Sequence, residues 1–547
     1  MLQLFFAGFL LLTAASSLQA KKKERSVPTV TIVIVGDQFA NNYLPKLKPH
    51  LQYAFKHLLK NGVVYTDAHH PHGVPETTPG HHAISTGTLP KYHGAIFNSW
   101  VDDKYKEVRY ETDRSGNAAV LNEVSGADGI SAHHTKVDGL SDQFMKMADK
   151  SSEYAAYAFS LKKHPVVSCA NRLGKAFWFD ASLPGFTSSK AFFEKLPDWT
   201  VRFNKKNAAR LKKPFKWHTA YPLESAAYQF PGAREYKYAG ASCSMILGKS
   251  KDFAEAKLPW QDLLLRSPAG ADALFSFTKK AIKNLVKQGK TKLLLWVSLS
   301  NLDFCGHIYG PDSLECIDIV YHLDKQISDF MSYTDKLFGK KNVLYVFTAD
   351  HGICPIPEIT AQKGYNLARR IDAPTLIKEM NSMVAEKYKL IDFVKVYEPT
   401  FFVLDKKALL ALSAEKRFHV LHDLKTYLLK QPGIKKVWTR DELAQLSFEA
   451  SELEQFYKNH LYKDRNGDLI VMTEPYCLLT NYPKGTSHSS PYGYDTHVPL
   501  ILYQAGSIQK KVIVEKVWLP QLPVTIASIL HMGKPSAATY PVLPNIV

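Results

Sequence analysis

The sequence predicts an α/β fold, a sandwich built on a mostly parallel sheet, and three observations carry that prediction. Short β-branched or apolar runs end on acidic or polar residues: TVTIVIVGD (29–37), KLLLWVSLSNLD (292–303) and NVLYVFTAD (342–350). Continuous apolar runs of this length suit strands covered on both faces. Helical stretches lie between them, and strands alternating with helices imply parallel pairing. The chain is also large enough for such a core plus an insertion, with 547 residues, 45% of them hydrophobic.

In chain order, the first twenty residues, MLQLFFAGFLLLTAASSLQA, hold an apolar stretch from Leu2 to Leu12. It is too short to span a bilayer and suits a cleavable secretory signal over 1–20. Cleavage after Ala20 or earlier, near Ala15 or Ser17, fits the small residues there. No later run is long enough for a transmembrane helix, so the expectation is a periplasmic or secreted protein without a stable membrane anchor. The catalytic core is expected over 27–360 and again over 481–547. Its first strand is followed by the helical stretch PHLQYAFKHLLKNG (49–62), which ends at a glycine stop.

The run HPHGVPETTPGHHAISTGTLPKYHG (70–94) then places Thr77-Thr78 before Pro79 and a small-residue segment. Proline suits a first helical turn and a hydroxyl residue before it suits an N-cap, so a helix start is expected here. Such a start favours a bound anion. Capping logic leaves Thr77 and Thr78 equivalent. An aromatic-rich stretch, Phe177 to Tyr238, reads as an irregular cap segment reaching about residue 250. After the strand at 292–303 comes a long helical stretch, CIDIVYHLDKQISDFMSYTDKLFG (316–339). Residues 361–480, with amphipathic helices at 376–387 and 407–429 and the alternating KVYEPTFFVLD, read as an inserted cap subdomain. The turn-rich TNYPKGTSHSSPYGYDT leads into a last strand, HVPLILYQAG (497–506).

The net charge of +18 is spread in small clusters such as Lys205-Lys206 and Lys212-Lys213. Without an aromatic-interleaved basic stripe or a recognition motif, this is a solvated surface and no nucleic-acid-specific binding is expected. A positive field does draw small anionic substrates. Six cysteines, an even number, permit disulfides in an exported chain, and the sequence leaves their pairing open. It also leaves the oligomeric state open.

Functional groups gather at the carboxyl ends of strands in open α/β sheets. Asp37 follows the first run, Asp303 the second with His307 four residues on, and Asp350-His351 the third; His497 opens the last strand. An Asp at one strand end caps a helix more often than it binds an ion. Five such residues at three strand ends, with His497, exceed what capping needs. Hard carboxylates mixed with imidazoles suit zinc, and two such sets suit a two-metal site.

These residues resemble the alkaline phosphatase superfamily, and within it the PafA-type bacterial phosphatases. The resemblance runs through GDQF, TTPGHHAISTGTLPKYHGAIFNSW, FSLKKH, FWFDASLPGFTSSKAFFEKLPDWTVRFN, SNLDFCGHIYGPDS, TADHG and SPYGYDTHVP. It implies a three-layer α/β/α sandwich with a mostly parallel central sheet and cap insertions. It implies two zinc ions per chain, one on Asp303, His307 and His497, the other on Asp37, Asp350, His351 and the nucleophile oxygen. The family pattern T-x-P-x-H selects Thr77 as nucleophile, which leaves Thr78 as the helix cap. Asn98 matches a residue that hydrogen-bonds a phosphoryl oxygen, and Lys162 a lysine reaching the same group. His81 completes the pattern and, like His488, is expected to support the ligands; His69, His70, His72, His82 and His93 receive no role.

One position departs. Where the family carries an arginine two residues after the lysine, this chain has His164, a titrating group in place of a fixed charge. The implied function is an exported zinc-dependent alkaline phosphatase acting on phosphate monoesters through a phosphothreonine. A phosphodiesterase or nucleotide pyrophosphatase on the same metal set is the alternative. A binding protein that has lost catalysis is the alternative from another class. The Cys/Ser-x-Pro-x-Arg motif of sulfatases is absent.

Overall fold

The computed structural model describes residues 26–121, 128–149, 151–182, 185–211, 217–229, 260–447 and 449–546. The signal-peptide expectation and the end of the expected cap segment, from 230 to about 250, lie outside them.

One large sheet of ten strands organises the molecule. Numbered here in chain order, its strands are β1 (Val30–Gly36), β2 (Val63–His69), β3 (Tyr154–Ser160), β4 (Lys175–Asp180) and β5 (Gly185–Thr187). They continue as β6 (Lys292–Leu299), β7 (Val343–Thr348), β8 (His497–Tyr503), β9 (Lys511–Ile513) and β10 (Val517–Trp518). Their order is β9-β2-β8-β7-β1-β6-β3-β4-β5, with β10 also pairing β2. β1 lies at the centre, parallel to β6 and β7, and every one of its residues is buried. Among the described strands only β8 and β5 run against their neighbours. The three apolar runs thus form the middle of a sheet covered on both faces, as continuous apolar strands require.

Helices complete an α/β/α sandwich in two groups. Thr77–Thr86 packs with Lys163–Ala170 and Gln521–Ile529, while Ala54–Asn61, Pro268–Lys287, Asn301–Tyr309 and Leu314–Phe338 pack together. No described helix is long and apolar enough to cross a membrane.

Residues 369–480 form a second body with its own core, including Met380, Val384, Phe402, Leu424 and Val471. Its four-stranded sheet runs in the order Val394–Glu398, Phe401–Leu404, Leu469–Thr473, Ile434–Thr439. The expected helix over 407–429 is two, Lys406–Ala411 and Ala414–Leu429. Ser413 separates them and caps the second by accepting from Lys416 N at 3.3 Å. A separate apolar cluster joins the insertion to the core: Phe401, Trp438 and Tyr457 pack with Val74, Ile96 and Phe97, which flank Thr77 in sequence.

The stretch expected as irregular from Phe177 is corrected. Phe177 to Asp180 belong to β4, inside the large sheet, and Asp198–Leu211 is a helix. Phe177 is fully buried and stacks on Phe159 of the neighbouring strand, with ring planes 5° apart. Density of aromatics marked a strand and its packing partners here, since aromatic side chains favour pleated surfaces and one another.

Candidate active site

Parallel register brings the chemistry to one edge. Gly36 stands opposite Leu299, and Val35 opposite Thr348, so the carboxyl ends of β1, β6 and β7 finish together. Asp37 follows β1, Asp350 and His351 follow β7, and Asp303 sits in the first turn of the helix Asn301–Tyr309 that follows β6. β3 adds Lys162 beyond its own end. His307 lies one helical turn after Asp303, on the same face, and its Nε2 is 3.1 Å from Asp303 Oδ1.

Glycines set the closeness of approach. A Cβ on Gly80 would lie 2.1 Å from the Asp350 carbonyl oxygen, so only glycine lets the Thr77 helix rest on that strand end. A Cβ on Gly306 would lie 1.9 Å from Gln38 Oε1. The Gln38 side chain instead passes over Gly306, and its Nε2 donates to Asp303 Oδ1 at 2.8 Å. Gln38 adopts a left-handed conformation (φ 67°), and its backbone N–H donates to Asp350 Oδ1 at 3.1 Å.

Three buried carboxylates, Asp37, Asp303 and Asp350, therefore face one buried cation, Lys162. Its Nζ is 2.8 Å from Asp37 Oδ2 and also contacts Asp303 Oδ2. Burial first, then repulsion from Asp303 and Asp350, pushes Asp37 well above the usual carboxylate range. Burial raises Asp350 to about 7. Burial would raise Asp303 too, but Lys162 and His307 outweigh it and hold that carboxyl low. The Asp37 oxygens meet only ion contacts, with Lys162 and, at 3.5 Å, His351 Nε2. Crowded, under-compensated carboxylates of this kind cost several kcal/mol unless further positive charge is present.

The histidines are oriented to supply lone pairs there. His307, His351 and His488 place Nδ1 against the backbone carbonyls of Thr486 (3.0 Å), Gly352 (2.9 Å) and Pro75 (2.9 Å). A carbonyl only accepts, so each Nδ1 carries the proton; the neutral rings of His351 and His488 offer Nε2, whereas His307 Nε2 faces Asp303 Oδ1, which outweighs burial and raises His307 above its ordinary value. Burial holds His351 well below its ordinary value and His488 at about 3. Two sets have donor atoms within 4.8 Å of one another: Asp37, Asp350 and His351, and Asp303, His351 and His488. Unsatisfied oxygens beside oriented imidazole lone pairs fit divalent cations of the zinc type.

Thr77 opens its helix, and its Oγ1 lies 3.4 Å from His351 Nε2, beside the first set. The helix starts two residues earlier than a Thr78 cap implies, with Glu76 as N-cap. Thr78 is therefore not the cap, and the expectation is corrected. Its backbone N–H and hydroxyl both donate to Asn98 Oδ1, at 2.8 and 2.7 Å. Because the backbone N–H can only donate, the amide oxygen of Asn98 is fixed on that side and Nδ2 is turned away from Thr78. Burial raises Glu76 to about 7, and it holds Asn98 N at 3.1 Å and Ser489 Oγ at 3.0 Å.

A second correction concerns His497. Its Nε2 bonds the Thr66 carbonyl at 2.8 Å and its ring stacks on His69, outside both donor sets at the strand ends. His497 is already in the β8 ladder, directly opposite His69, and strand alternation fixes its side chain with that neighbour. His488, in the turn-rich segment before the strand, reaches Asp303 instead, with Nε2 3.9 Å from Oδ1. His81 bonds the Thr77 carbonyl (2.7 Å) and Ser298 Oγ (2.9 Å), so both its nitrogens are used in support. His164, in the first turn of the helix after Lys162, has no partner for Nε2, and burial followed by Lys162 holds it well below its ordinary value.

A profile of type I phosphodiesterases and nucleotide pyrophosphatases matches residues 31–497. The chain belongs to that family. It is 25% identical over 559 residues to the alkaline phosphatase PhoV of Synechococcus elongatus, covering 97% of each chain. It is 24% identical over 538 residues to the alkaline phosphatase PafA of Elizabethkingia meningoseptica, covering 96% of this chain and 95% of that one. The crystal structure of wild-type PafA superposes with a TM-score of 0.85 at 25% identity, covering 96% of this chain and 99% of the other. The protein is a hydrolase of phosphoric esters with an alkaline phosphatase-like fold, and such relatives imply metal ions.

Sequence reasoning missed Gln38 and Glu76 and gave His488 only a supporting place. Gln38 sits in GDQF, directly after the strand-end Asp37, and nothing in its type announces a left-handed backbone. Glu76 directly precedes Thr77, which is the one signal that could have found it.

Proposed function

We propose that the protein is an exported, zinc-dependent alkaline phosphatase that hydrolyses small phosphate monoesters through a phosphothreonine at Thr77. The observation that carries this reading is the Thr77 hydroxyl at the head of a helix, 3.4 Å from His351 Nε2, where the two donor sets meet. Asp37, Asp350, His351 and Thr77 would hold one ion, and Asp303, His307 and His488 the other. When bound, the ions supply a lowered hydroxyl pKa at the nucleophile and charge stabilisation at the leaving oxygen. Thr77 Oγ1 attacks phosphorus, the P–O bond to the leaving group breaks, and water then cleaves phosphothreonine and restores the hydroxyl.

Asn98 offers its turned-out Nδ2, and Lys162 its charge, to non-bridging oxygens, together with the free N–H groups of the Thr77 helix. Export rests on the apolar stretch from Leu2 to Leu12. Phosphodiesterase activity is the second reading, and His164 favours it: a half-buried neutral imidazole compensates less charge than the family's arginine, and a diester carries less.

The deciding experiment compares kcat/KM for a phosphate monoester and the matching diester on purified, zinc-loaded protein. Monoester preference is expected, with His164→Arg raising the ratio and Lys162→Ala lowering it, each by about ten- to a hundredfold. A diester preference that His164→Arg leaves unchanged would overturn the monoesterase reading.

A further inference from the structure

We propose that Asp67, His69 and His497 form a second metal site, separate from the catalytic centre, which takes a zinc-class transition-metal dication and ties β8 to β2. One nitrogen of each ring and one carboxylate oxygen lie within 4.8 Å of one another. His69 closes β2 and His497 opens β8, and the two are directly opposed in the antiparallel ladder. Their rings lie 4.5 Å apart, with planes 15° from parallel. Asp67 is two residues before His69, so strand alternation sets both on one face. None of the three belongs to either donor set around Thr77.

The hydrogen bonds around the rings prepare them for ligation. His69 Nδ1 lies 3.1 Å from the Thr496 hydroxyl, and Nε2 lies 2.8 Å from Asp67 Oδ1. Without an ion, Nε2–H donates to the carboxylate and the Thr496 hydroxyl donates to Nδ1; because that hydroxyl can also accept, Nδ1 can take the proton when an ion replaces it on Nε2. His497 Nε2 faces the Thr66 carbonyl at 2.8 Å and must donate, which leaves its Nδ1 as the lone pair.

Access and charge agree with this. All three residues are half-buried, which leaves the group reachable from solvent. Donor atoms of a tetrahedral zinc ion are separated by about 3.3 Å, from bond lengths near ~2.0 Å, so small side-chain rotations close the set and leave a position for water. Lys516, the nearby cation, is engaged by Glu452 at 2.7 and 2.8 Å. Two imidazoles and one carboxylate select zinc, nickel or copper over magnesium or calcium.

The test counts metal on full-length protein. Wild type, His69→Gln and Asp67→Asn are equilibrated with micromolar zinc and bound metal is measured by emission spectroscopy. Wild type is expected to hold about one zinc per chain more than either variant, with hydrolysis rates equal within about twofold. Because the readout is a difference, it stands whatever number of ions the catalytic centre holds. Equal metal content in folded wild type and variants overturns the proposal. Copper(II) added to zinc-loaded wild type gives a reading that needs no variant. A paramagnetic resonance signal with couplings from two imidazole nitrogens is expected, and a signal lacking them overturns it.

Discussion

Asn98 holds its amide oxygen against two donors of Thr78, and that pair fixes the direction of the Nδ2 proposed to meet the phosphoryl group. Thr78→Val removes the hydroxyl donor and keeps the volume, so the Asn98 amide loses one of two bonds that fix its direction. We expect kcat/KM to fall about five- to fiftyfold, as loss of one hydrogen bond at a charged transition state does, with Tm nearly unchanged. Kinetics and a melt of the same preparation check this; a stability loss without a rate loss would return Thr78 to a purely structural role. At Thr77, replacement by Ala should abolish turnover while metal content and fold persist, because an oxygen but no charged group is removed. His488→Ala should lose bound zinc and most activity, whereas His497→Gln should keep both at the catalytic centre; metal analysis and rates separate the two. Asp37, Asp303, Asp350 and His351 were legible because each follows a continuous apolar run. His488 was not, because it stands in a turn-rich segment whose path depends on contacts with Pro75 and Ser489 rather than on any local period.

At the scale of elements, the catalytic edge depends on how closely two helices approach strand ends. Gly80→Ala would drive a Cβ into the backbone of Asp350, which moves only with β7. Gly306→Ala meets the far end of the Gln38 side chain, which can swing aside. We therefore expect Gly80→Ala to cost about 1–3 kcal/mol of stability, as overpacking does, and to lower activity further by shifting Thr77. Gly306→Ala should cost less stability and act mainly by freeing Asp303 from Gln38. Denaturant melts and rates on both variants check the order. The central strands and the long helix Leu314–Phe338 could be read from apolar runs and glycine stops. The join at Ser413 and the placement of Phe177 in β4 could not, since both were settled by packing partners far away in sequence.

For the whole molecule, the insertion and the core meet over an unusual set of buried imidazoles. His72 stands 5.6 Å from His460 and His82 stands 5.2 Å from His93, centroid to centroid, all fully buried. Burial lowers His70 to about 4 and His82 and His460 to about 3, with His72 and His93 also well below the ordinary value. In the unfolded chain each titrates near ~6.5. Below that pH the unfolded state binds more protons than the folded one, so stability falls with acidification. The contribution is complete above about pH 6.5 and is lost as pH drops toward the folded values of about 3 to 4. Each group adds up to about 1.4 kcal/mol per pH unit to the slope. Urea midpoints of the zinc-loaded protein should be level from pH 8 to 7 and decline steeply below 6, and His460→Gln should make that decline shallower. A level profile down to pH 4 would contradict the neutral-imidazole account.

The reversed strand β8 sets the timetable of maturation. Among the described residues it is the only bridge between β2 and β7 in the large sheet, and His488 stands just ahead of it. Nearly the whole chain must be available before β2 can join the central strands and the last imidazole can reach Asp303. A cation taken up at the candidate site would then be held fully only after closure of the sheet, and a chain ending before residue 488 would lack His488 beside Asp303.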